Sequence, residues 1–294
     1  MKKKQISEIS KKSHVELKSI IKTPITIPPN TSILDARDIL LRHRIGRLVV
    51  EFNKKPVGII TEKDIAKSVS IFSQKPIGKI LVREIMTKSL ITVFDDSKIS
   101  ECAKLMKENK ISSVVVVNRK HKLVGVITKT DLVSTFLVKS SASLQISKTM
   151  SKNVIIVSPD DSIFEVQSIL FNNKISRVIV AKEKIPVGVI TYRDFIPAKT
   201  FDLHREFIDP LELDEVSKVP QLNEFNVNRL SYLLRFSAKD IMTKNLFVVN
   251  SDDAVYTAAI LMIRNDVSGL PVIKNKKLVG IITKSDIVNI LAES

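Results

Sequence analysis

A seven-residue pattern that occurs four times supplies the residues whose types and spacing could do chemistry. It has the form Gly-h-h-Thr-x-x-Asp, where h is apolar, and its copies span residues 58–64, 125–131, 188–194 and 280–286. Each copy brings a hydroxyl and a carboxylate to the predicted start of a helix. A carboxylate is a good bidentate acceptor for a vicinal diol, and the free N–H groups at a helix start attract phosphate.

The same pattern also has a purely structural use. Thr-x-x-Asp is itself a capping box, in which both side chains satisfy N–H groups at the start of a helix. All four copies keep both residues, as either use requires. The residues alone therefore leave ligand binding and helix capping open.

The pattern marks a repeat of about 65 residues, because its four aspartates are 67, 63 and 92 residues apart. The last interval holds an insertion. Each unit is predicted to form a β-α-β-β-α succession: Ile33, Ala36 and Leu40 have helical spacing, whereas Val114–Val117 and Leu123–Ile127 are β-rich runs parted by a polar turn. One unit has too little core to stand alone. We therefore predict an α/β (α+β) fold of paired repeats.

Further signals predict where elements begin. Ser162 and Glu165 form a Ser-x-x-Glu capping box, and Asp252 or Asp253 is predicted to cap the matching helix of the last repeat. Short apolar strands are predicted over residues 90–93 and 246–249.

The repeats alternate in an a-b-a-b order, which indicates a duplicated two-repeat module. Repeats 2 and 4 share Ile-Met-Thr-Lys, whereas repeats 1 and 3 share an arginine in Ile-x-Arg, at Arg47 and Arg177. The predicted domains are a basic N-terminal tail (1–22), a first module (23–140) and a second module (141–294) with an inserted segment (196–237).

The four boxes and the Ile-Met-Thr openings resemble those of cystathionine β-synthase (CBS) domains, over about residues 20–290. The resemblance implies four repeats paired about pseudo-twofold axes into two Bateman modules. It implies that the clefts bind an adenosine ligand, such as AMP, ADP, ATP or S-adenosylmethionine, with no required cofactor. It also implies that the aspartates bind ribose hydroxyls and the threonines bind ribose or phosphate. The residues concerned are Thr61, Asp64, Thr128, Asp131, Thr191, Asp194, Thr283 and Asp286.

Two basic stretches resemble the phosphate-binding stretch in γ subunits of AMP-activated kinases. The residues implied to contact phosphate are Arg44, Arg47, Lys174 and Arg177. Repeats 2 and 4 have Ser113 and Gly269 in place of the second arginine, which weakens their case for phosphate contact. The match is partial, because a histidine common in that subunit family is missing, and these arginines could equally be ordinary surface charges.

The net charge of +16 lies almost entirely in the first half of the chain. Residues 1–139 carry 28 Lys and Arg against 13 Asp and Glu, whereas residues 140–294 carry 19 against 18. This asymmetry favours a polyanionic partner for the first module, either nucleic acid or an anionic membrane. A lysine-rich surface without function is the alternative, but a general lysine bias should affect both halves.

The tail concentrates this charge, with seven lysines and two acidic residues in Met1–Lys22. Basic arms commonly bind phosphate backbones without reading sequence, although a solvated tail is also compatible. The predicted nucleic-acid-binding residues are Lys2, Lys3, Lys4, Lys11 and Lys12. The insertion contains the acidic run Asp209–Glu215, which suits a partner-binding loop or a packed helix better than nucleic acid.

Several function classes are disfavoured. The chain has only seven glycines and no phosphate-cradling Gly-rich loop, no nucleophile paired with a base and no metal-ligand spacing, so we predict that it is not an enzyme and binds no metal. No apolar run is long enough for a bilayer. The single cysteine, Cys102, favours a reducing cytoplasm. The absence of Trp disfavours single-strand binding by base stacking.

Two functions remain open. The first is a nucleotide sensor whose basic module binds nucleic acid, with structured RNA such as ribosomal RNA the best match to a basic surface that lacks a groove-reading motif. The second is a nucleotide-sensing regulatory subunit that binds a protein partner such as a kinase, which leaves the charge asymmetry unexplained. A homodimer is compatible with either.

Overall fold

Four copies of one small α/β unit build the protein, as the repeat predicts. The computed structural model describes residues 16–70, 77–139, 144–196 and 236–293. The predicted tail lysines Lys2, Lys3, Lys4, Lys11 and Lys12, the module boundary at 140 and nearly all of the insertion lie outside the described residues.

The first pair of repeats contains eleven of the helices and strands. Repeat 1 consists of β1 (Thr26–Ile27), α1 (Ile33–Arg42), β2 (Arg47–Phe52), β3 (Lys55–Thr61) and α2 (Glu62–Ser70). Repeat 2 consists of α3 (Val82–Ile85), β4 (Thr92–Phe94), α4 (Ile99–Glu108), β5 (Ser113–Val117), β6 (Leu123–Thr128) and α5 (Lys129–Lys139). Single 3-10 turns precede them at Leu17–Ile20 and Ile77–Lys79.

The second pair repeats this order. Repeat 3 consists of β7 (Ile156–Val157), α6 (Ile163–Asn172), β8 (Arg177–Lys182) and β9 (Ile185–Thr191), and a 3-10 turn (Tyr192–Phe195) stands where the other repeats begin their last helix. Repeat 4 consists of α7 (Ala238–Ile241), β10 (Val249–Asn250), α8 (Val255–Arg264), β11 (Gly269–Lys274), β12 (Lys277–Thr283) and α9 (Lys284–Ala292). A 3-10 turn at Ile146–Lys148 precedes repeat 3.

Each repeat forms one three-stranded sheet. The short first strand runs parallel to the second, and the second pairs with the third as an antiparallel hairpin. The predicted α/β class and pairing of repeats are confirmed. The first strands lie further along the chain than predicted, at 92–94 and 249–250, because only these residues pair with the parallel neighbour.

The predicted caps have two outcomes. The Ser162 hydroxyl accepts the N–H of Glu165, and the Glu165 carboxylate accepts the Ser162 N–H, so that box is confirmed. The predicted cap of α8 is wrong. Its N-cap is Ala254, which has no side-chain acceptor, and Asp253 instead accepts the N–H of Asn250 at 2.7 Å in the preceding turn.

Two hydrophobic cores join the pairs through their helices. Helix α9 of repeat 4 packs against α4 and α5 of repeat 2, with Phe136, Met262 and Leu291 in the shared core. Helix α2 of repeat 1 packs against the turn Tyr192–Phe195 of repeat 3 around a second core. Sheets pack within a pair, as Val49 does against Val115 and Val117.

The opening segments are exchanged within each pair. Thr87, from the opening of repeat 2, bridges Ile59 on the sheet of repeat 1, and Lys22, ahead of repeat 1, bridges Val126 on the sheet of repeat 2. In the second pair, Thr243 bridges Val189 and Ser151 bridges Ile281. Each repeat therefore completes its partner, and Leu17, within the predicted tail, is buried in the core of repeats 2 and 4.

The exchange explains the glycine that begins every box. A Cβ on Gly58 would lie 2.5 Å from Met86 Sδ, and one on Gly280 would lie 2.5 Å from Met150 Sδ. A Cβ on Gly125 would overlap the Ile21 side chain. The glycines are needed because the partner's opening lies directly on the backbone, and not for an unusual φ angle.

No helix in the four described stretches has both the length and the apolar character that crossing a membrane requires.

Replacing Gly58 by alanine is expected to destabilise the first pair, because the new methyl group must displace Met86 or the carbonyl of Thr87, 3.2 Å away. Overpacking of this kind costs about 1–3 kcal/mol. Thermal unfolding should show a lower midpoint for Gly58→Ala than for Gly46→Ala, whose Cβ would meet nothing closer than Glu62 at 3.6 Å.

A second substitution, Met86→Ala, should recover part of the loss in the Gly58→Ala background, because it removes the clashing sulfur. Equal midpoints for Gly58→Ala and Gly46→Ala would contradict the close approach.

Candidate functional site

The four Thr-x-x-Asp boxes have one shared geometry. In each box, Oδ2 of the aspartate accepts both the backbone N–H and the hydroxyl of the threonine. The N–H distances are 2.8 Å to Asp64, 2.8 Å to Asp131, 2.6 Å to Asp194 and 2.7 Å to Asp286. The capping interpretation is therefore correct as far as Oδ2 is concerned.

The second oxygen, Oδ1, decides whether a box can also bind a ligand. Among the described residues, no other side chain hydrogen-bonds to Oδ1 of Asp64, Asp194 or Asp286. Capping leaves this oxygen of the three carboxylates available to accept a ligand hydroxyl. Oδ1 of Asp131 differs, because it forms a 2.7 Å ion pair with Lys22 Nζ.

The charged forms of the three aspartates without an ion pair are also poorly stabilised. Burial raises the pKa of Asp64, Asp194 and Asp286, and the hydrogen bonds from the neighbouring threonines only partly offset it. A carboxylate that is desolvated and under-supplied with donors gains from any further donor. Ribose hydroxyls are donors of this kind.

Arg47 and Arg177 each reach across the pair to the other repeat. Both begin the middle strand of their sheets, opposite the threonine of their own box. Arg47 donates from Nη1 to the carbonyl of Ser112 at 2.9 Å and from Nη2 to its hydroxyl at 3.2 Å. Arg177 donates from Nη2 to the hydroxyl of Ser268 at 2.7 Å.

This crossing explains why repeat 4 lacks the arginine that repeat 3 has. Ser113 and Gly269 occupy the equivalent first position of their strands, opposite Thr128 and Thr283. A Cβ on Gly269 would overlap Nη1 of Arg177. In the second pair, the Arg177 side chain therefore occupies the space that a side chain at position 269 would need.

Arg177 retains an unmet donor. Its Nε is buried and has no hydrogen-bond partner among the described residues. Burial lowers the pKa of Arg177 to about 10, against the opposing charge of Asp286, and burial also lowers the pKa of Arg47, against Glu62 and Asp131. A buried donor of this kind needs an explanation, and a ligand acceptor would supply one.

Two lysines missed by the sequence analysis complete the site. Lys129 and Lys284 follow the threonines of boxes 2 and 4. Lys129 donates from Nζ to the hydroxyl of Ser285 at 2.8 Å, and Lys284 donates from Nζ to the hydroxyl of Thr130 at 2.9 Å. These reciprocal bonds join the two pairs. The signal that could have found them is the lysine that directly follows Thr in boxes 2 and 4 only.

The lysines lie close to the arginines. Burial lowers the pKa of Lys129 to about 8, with the charges of Arg177 and Arg47 adding to the shift and Asp286 opposing it. Burial likewise lowers the pKa of Lys284 to about 8, with Asp266 opposing and the same two arginines adding to the shift. We call Arg47, Lys129, Arg177 and Lys284 the basic centre.

The contact between repeats 1 and 3 uses different residues at the equivalent positions next to their boxes. Arg193 donates from Nε to Oε1 of Glu62 at 2.6 Å, and Lys63 lies over the ring of Tyr192 with Nζ 5.7 Å from its centroid. These contacts compensate charge on that side, whereas the basic centre joins four cations that repel one another. An anion of two or more charges would relieve this repulsion.

The remaining predicted phosphate ligands are more peripheral. Arg44 and Lys174 are exposed residues just after α1 and α6, where their backbones have φ angles of 53° and 54°. Lys110 and Asp266 hold the same conformation in the other repeats. A shared turn geometry therefore accounts for these positions, and phosphate contact by Arg44 and Lys174 stays a prediction.

Comparison with known proteins gives one family. The CBS domain model matches residues 17–71, 82–137, 144–199 and 238–293. Protein MJ1225 of Methanocaldococcus jannaschii is 25% identical over 91% of this chain and 95% of its own length. Its crystal structure superimposes with a TM-score of 0.78 over 94% of this chain and 99% of that one, at 24% identity. A conserved protein from Pyrococcus horikoshii has a TM-score of 0.60 at 21% identity, over 94% of this chain and 100% of its own.

One enzyme shares a shorter region. L-aspartate semialdehyde sulfurtransferase of Methanocaldococcus jannaschii is 38% identical over 112 residues, which are 38% of this chain and only 21% of the enzyme. The match thus covers a small part of that relative.

The basic centre predicts a pH dependence of stability. Because the pKa values of Lys129 and Lys284 are about 8 in the folded protein and about 10.4 in an unfolded chain, the unfolded state binds more protons between these values. Stability should therefore rise with pH in this window. From pH 8 to 9.5, the two lysines together contribute about 3 kcal/mol, so the melting temperature of the wild type should gain roughly 6–12 °C relative to a Lys129→Gln/Lys284→Gln variant.

Parallel melting curves of the wild type and the double variant across this window would contradict the lowered pKa values. Lys239→Gln serves as the control, because Lys239 is an exposed lysine whose pKa is raised by Asp160.

Proposed function

Because this chain belongs to the CBS domain family, we propose that it is a regulatory protein without catalytic activity that binds adenosine nucleotides in the clefts of its paired repeats. A cleft is here the region between one Thr-x-x-Asp box and the opening segment of the partner repeat that bridges the strand leading into that box. Each cleft has the number of the repeat that supplies the box. The observation that carries the proposal is the basic centre, where four buried or half-buried cations adjoin the boxes and no described residue offers an acceptor to Arg177 Nε.

The ribose is proposed to bind at the second carboxylate oxygen of each available box. Asp64, Asp194 and Asp286 use Oδ2 for the threonine and keep Oδ1 for a ligand. Helix capping and ribose binding therefore do not compete. Capping orients the carboxylate, and the raised pKa of each of these aspartates favours an added hydroxyl donor.

The phosphates are proposed to face the basic centre. Arg47 in the first pair and Arg177 in the second can form bidentate bonds to phosphate oxygens, and Lys129 and Lys284 add compact charges beside them. The influence of Asp286 on Arg177 puts that arginine close to the box of repeat 4 as well as that of repeat 3. One arginine can therefore serve both clefts of its pair.

Regulation is supported by the position of this centre. Lys129 and Lys284 hydrogen-bond between the two pairs, so an anion bound there contacts groups that also hold the pairs together. A ligand shifts an arrangement by as much as its affinity differs between the two states. Nucleotide binding is thus coupled to the packing of α5 against α8 and α9.

Substitutions in repeat 3 should separate the ribose and phosphate contributions. Asp194→Ala is expected to weaken binding of AMP, ATP and adenosine alike in isothermal titration calorimetry. Arg177→Met should weaken AMP and ATP but leave adenosine nearly unchanged. Losing a hydrogen bond to a charged group costs about 1.5–3 kcal/mol, or roughly 10–150-fold in affinity.

Asp240→Ala provides a matched control. Asp240 caps Ser237 with the same geometry, at 2.8 Å from the N–H and 2.6 Å from the hydroxyl, but belongs to no Thr-x-x-Asp box. It should lose capping without losing affinity. Equal affinity of the wild type, Asp194→Ala and Arg177→Met for AMP would refute the proposed site.

We also propose that the basic first half binds nucleic acid, with structured RNA such as ribosomal RNA as the partner. The supporting observation is the charge of residues 1–139, together with the exposure of lysines on both of its repeats. Exposed examples are Lys54, Lys63, Lys98, Lys104 and Lys120.

Binding of a structured RNA should weaken steeply with salt, because neutralised phosphates release counterions. Replacing Lys2, Lys3, Lys4, Lys11 and Lys12 by glutamine should lower the affinity in filter binding and make the salt dependence shallower. Replacing Lys182, Lys184, Lys244, Lys274 and Lys276 of the second half is the control with equal charge loss. Binding that is indifferent to salt, or equally affected by both sets, would exclude this role for the tail.

A further inference from the structure

We propose that cleft 2 is closed by the chain's own Lys22, so that nucleotides bind beside Asp64, Asp194 and Asp286 but not beside Asp131. This inference rests on the proposed nucleotide-binding function and assigns it to particular clefts. It follows from a difference among four otherwise equivalent places in the fold.

The four places are defined by the exchanged openings. In each repeat, the residue that follows the box glycine forms an isolated antiparallel bridge with one residue of the partner's opening. That opening residue is Thr87 at cleft 1, Ser151 at cleft 4 and Thr243 at cleft 3. At cleft 2 it is Lys22. Three clefts therefore present a small hydroxyl, and one presents a long cation.

Lys22 pairs with the oxygen of Asp131 that a ligand hydroxyl would otherwise use. Lys22 Nζ lies 2.7 Å from Oδ1 of Asp131, while Oδ2 accepts the N–H and hydroxyl of Thr128. Both oxygens of Asp131 are thus engaged. The burial of the four aspartates shows the same difference, since Asp131 is 4% exposed and the other three are only half-buried.

The backbone holds Lys22 in this position. Its N–H donates to the carbonyl of Val126 at 3.1 Å, and the N–H of Val126 donates back at 2.9 Å. Ile21 lies against Gly125, and Leu17 is buried five residues earlier. The lysine is therefore part of a packed segment and not the end of a free arm.

The ion pair that closes cleft 2 is nevertheless weak enough for a substitution to remove it without unfolding the protein. The Lys22 side chain is 68% exposed, and an ion pair with an exposed lysine contributes little to stability because water screens it. Exchanging Lys22 for threonine should leave the fold intact. It should expose Oδ1 of Asp131 in the setting that Thr87 and Thr243 provide at clefts 1 and 3.

The test is the number of AMP molecules bound per chain, measured by equilibrium dialysis with saturating AMP. Lys22→Thr should bind one more AMP than the wild type. Asp131→Ala should bind as many as the wild type, and Lys22→Thr/Asp131→Ala should lose the additional site again. The reciprocal variant Thr87→Lys should close cleft 1 and bind one fewer.

Two results would overturn the assignment while leaving the proposed function in place. One is a lower count for Asp131→Ala than for the wild type, which would show that cleft 2 is already occupied. The other is an unchanged or lower count for Lys22→Thr, the lower count meaning that Lys22 is itself a ligand contact. A wild type and variants that bind no AMP at all would instead refute the proposed function, and this assignment with it.

Discussion

A three-stranded sheet with two helices cannot bury its own apolar faces, and this constraint determines how the whole molecule is assembled. Each sheet buries one face within its pair, as Val49 does against Val115 and Val117. The helices then bury their apolar faces between pairs, repeat 1 with repeat 3 and repeat 2 with repeat 4. Exchange of the opening segments completes each sheet with residues from its partner. No repeat is therefore a self-contained unit.

The candidate site is a consequence of this assembly. The boxes start the helices, or in repeat 3 the 3-10 turn, that pack between pairs, so the residues that follow the threonines lie at the contact between the pairs. Lys129 and Lys284 meet there because α5 and α9 are in contact. Arg47 and Arg177, which each cross to the other repeat of their pair, are close enough to affect the pKa of both lysines. Burial lowers the pKa values of Arg177, Lys129 and Lys284, and the charges of the two arginines add to the shift of both lysines. A bound phosphate would relieve this repulsion and favour the charged lysines.

Capping and ligand binding are two uses of one side chain. The aspartate of each box gives one oxygen to the threonine, and this bond both starts the helix and holds the carboxylate still. The other oxygen distinguishes the clefts, because Lys22 takes it at Asp131 alone. Retention of Thr-x-x-Asp in a repeat therefore does not establish that its cleft binds a ligand.

The sequence by itself determined the repeat, the class of fold and the four boxes, because these follow from local patterns: hydrophobic period, turn residues and a recurring capping motif. It also distinguished repeats 1 and 3 from repeats 2 and 4 by Arg47 and Arg177. The prediction of a side-chain cap for α8 was wrong, because Asp253 accepts the N–H of Asn250 in the turn before the helix. Only the tertiary structure decided that Lys129, Lys284 and the arginines form one centre, that the box glycines make room for a partner's opening, and that Lys22 pairs with Asp131. These contacts join residues as much as 156 positions apart, and no local pattern of residues determines which distant side chain will be in contact. The packing of one repeat on another encodes it.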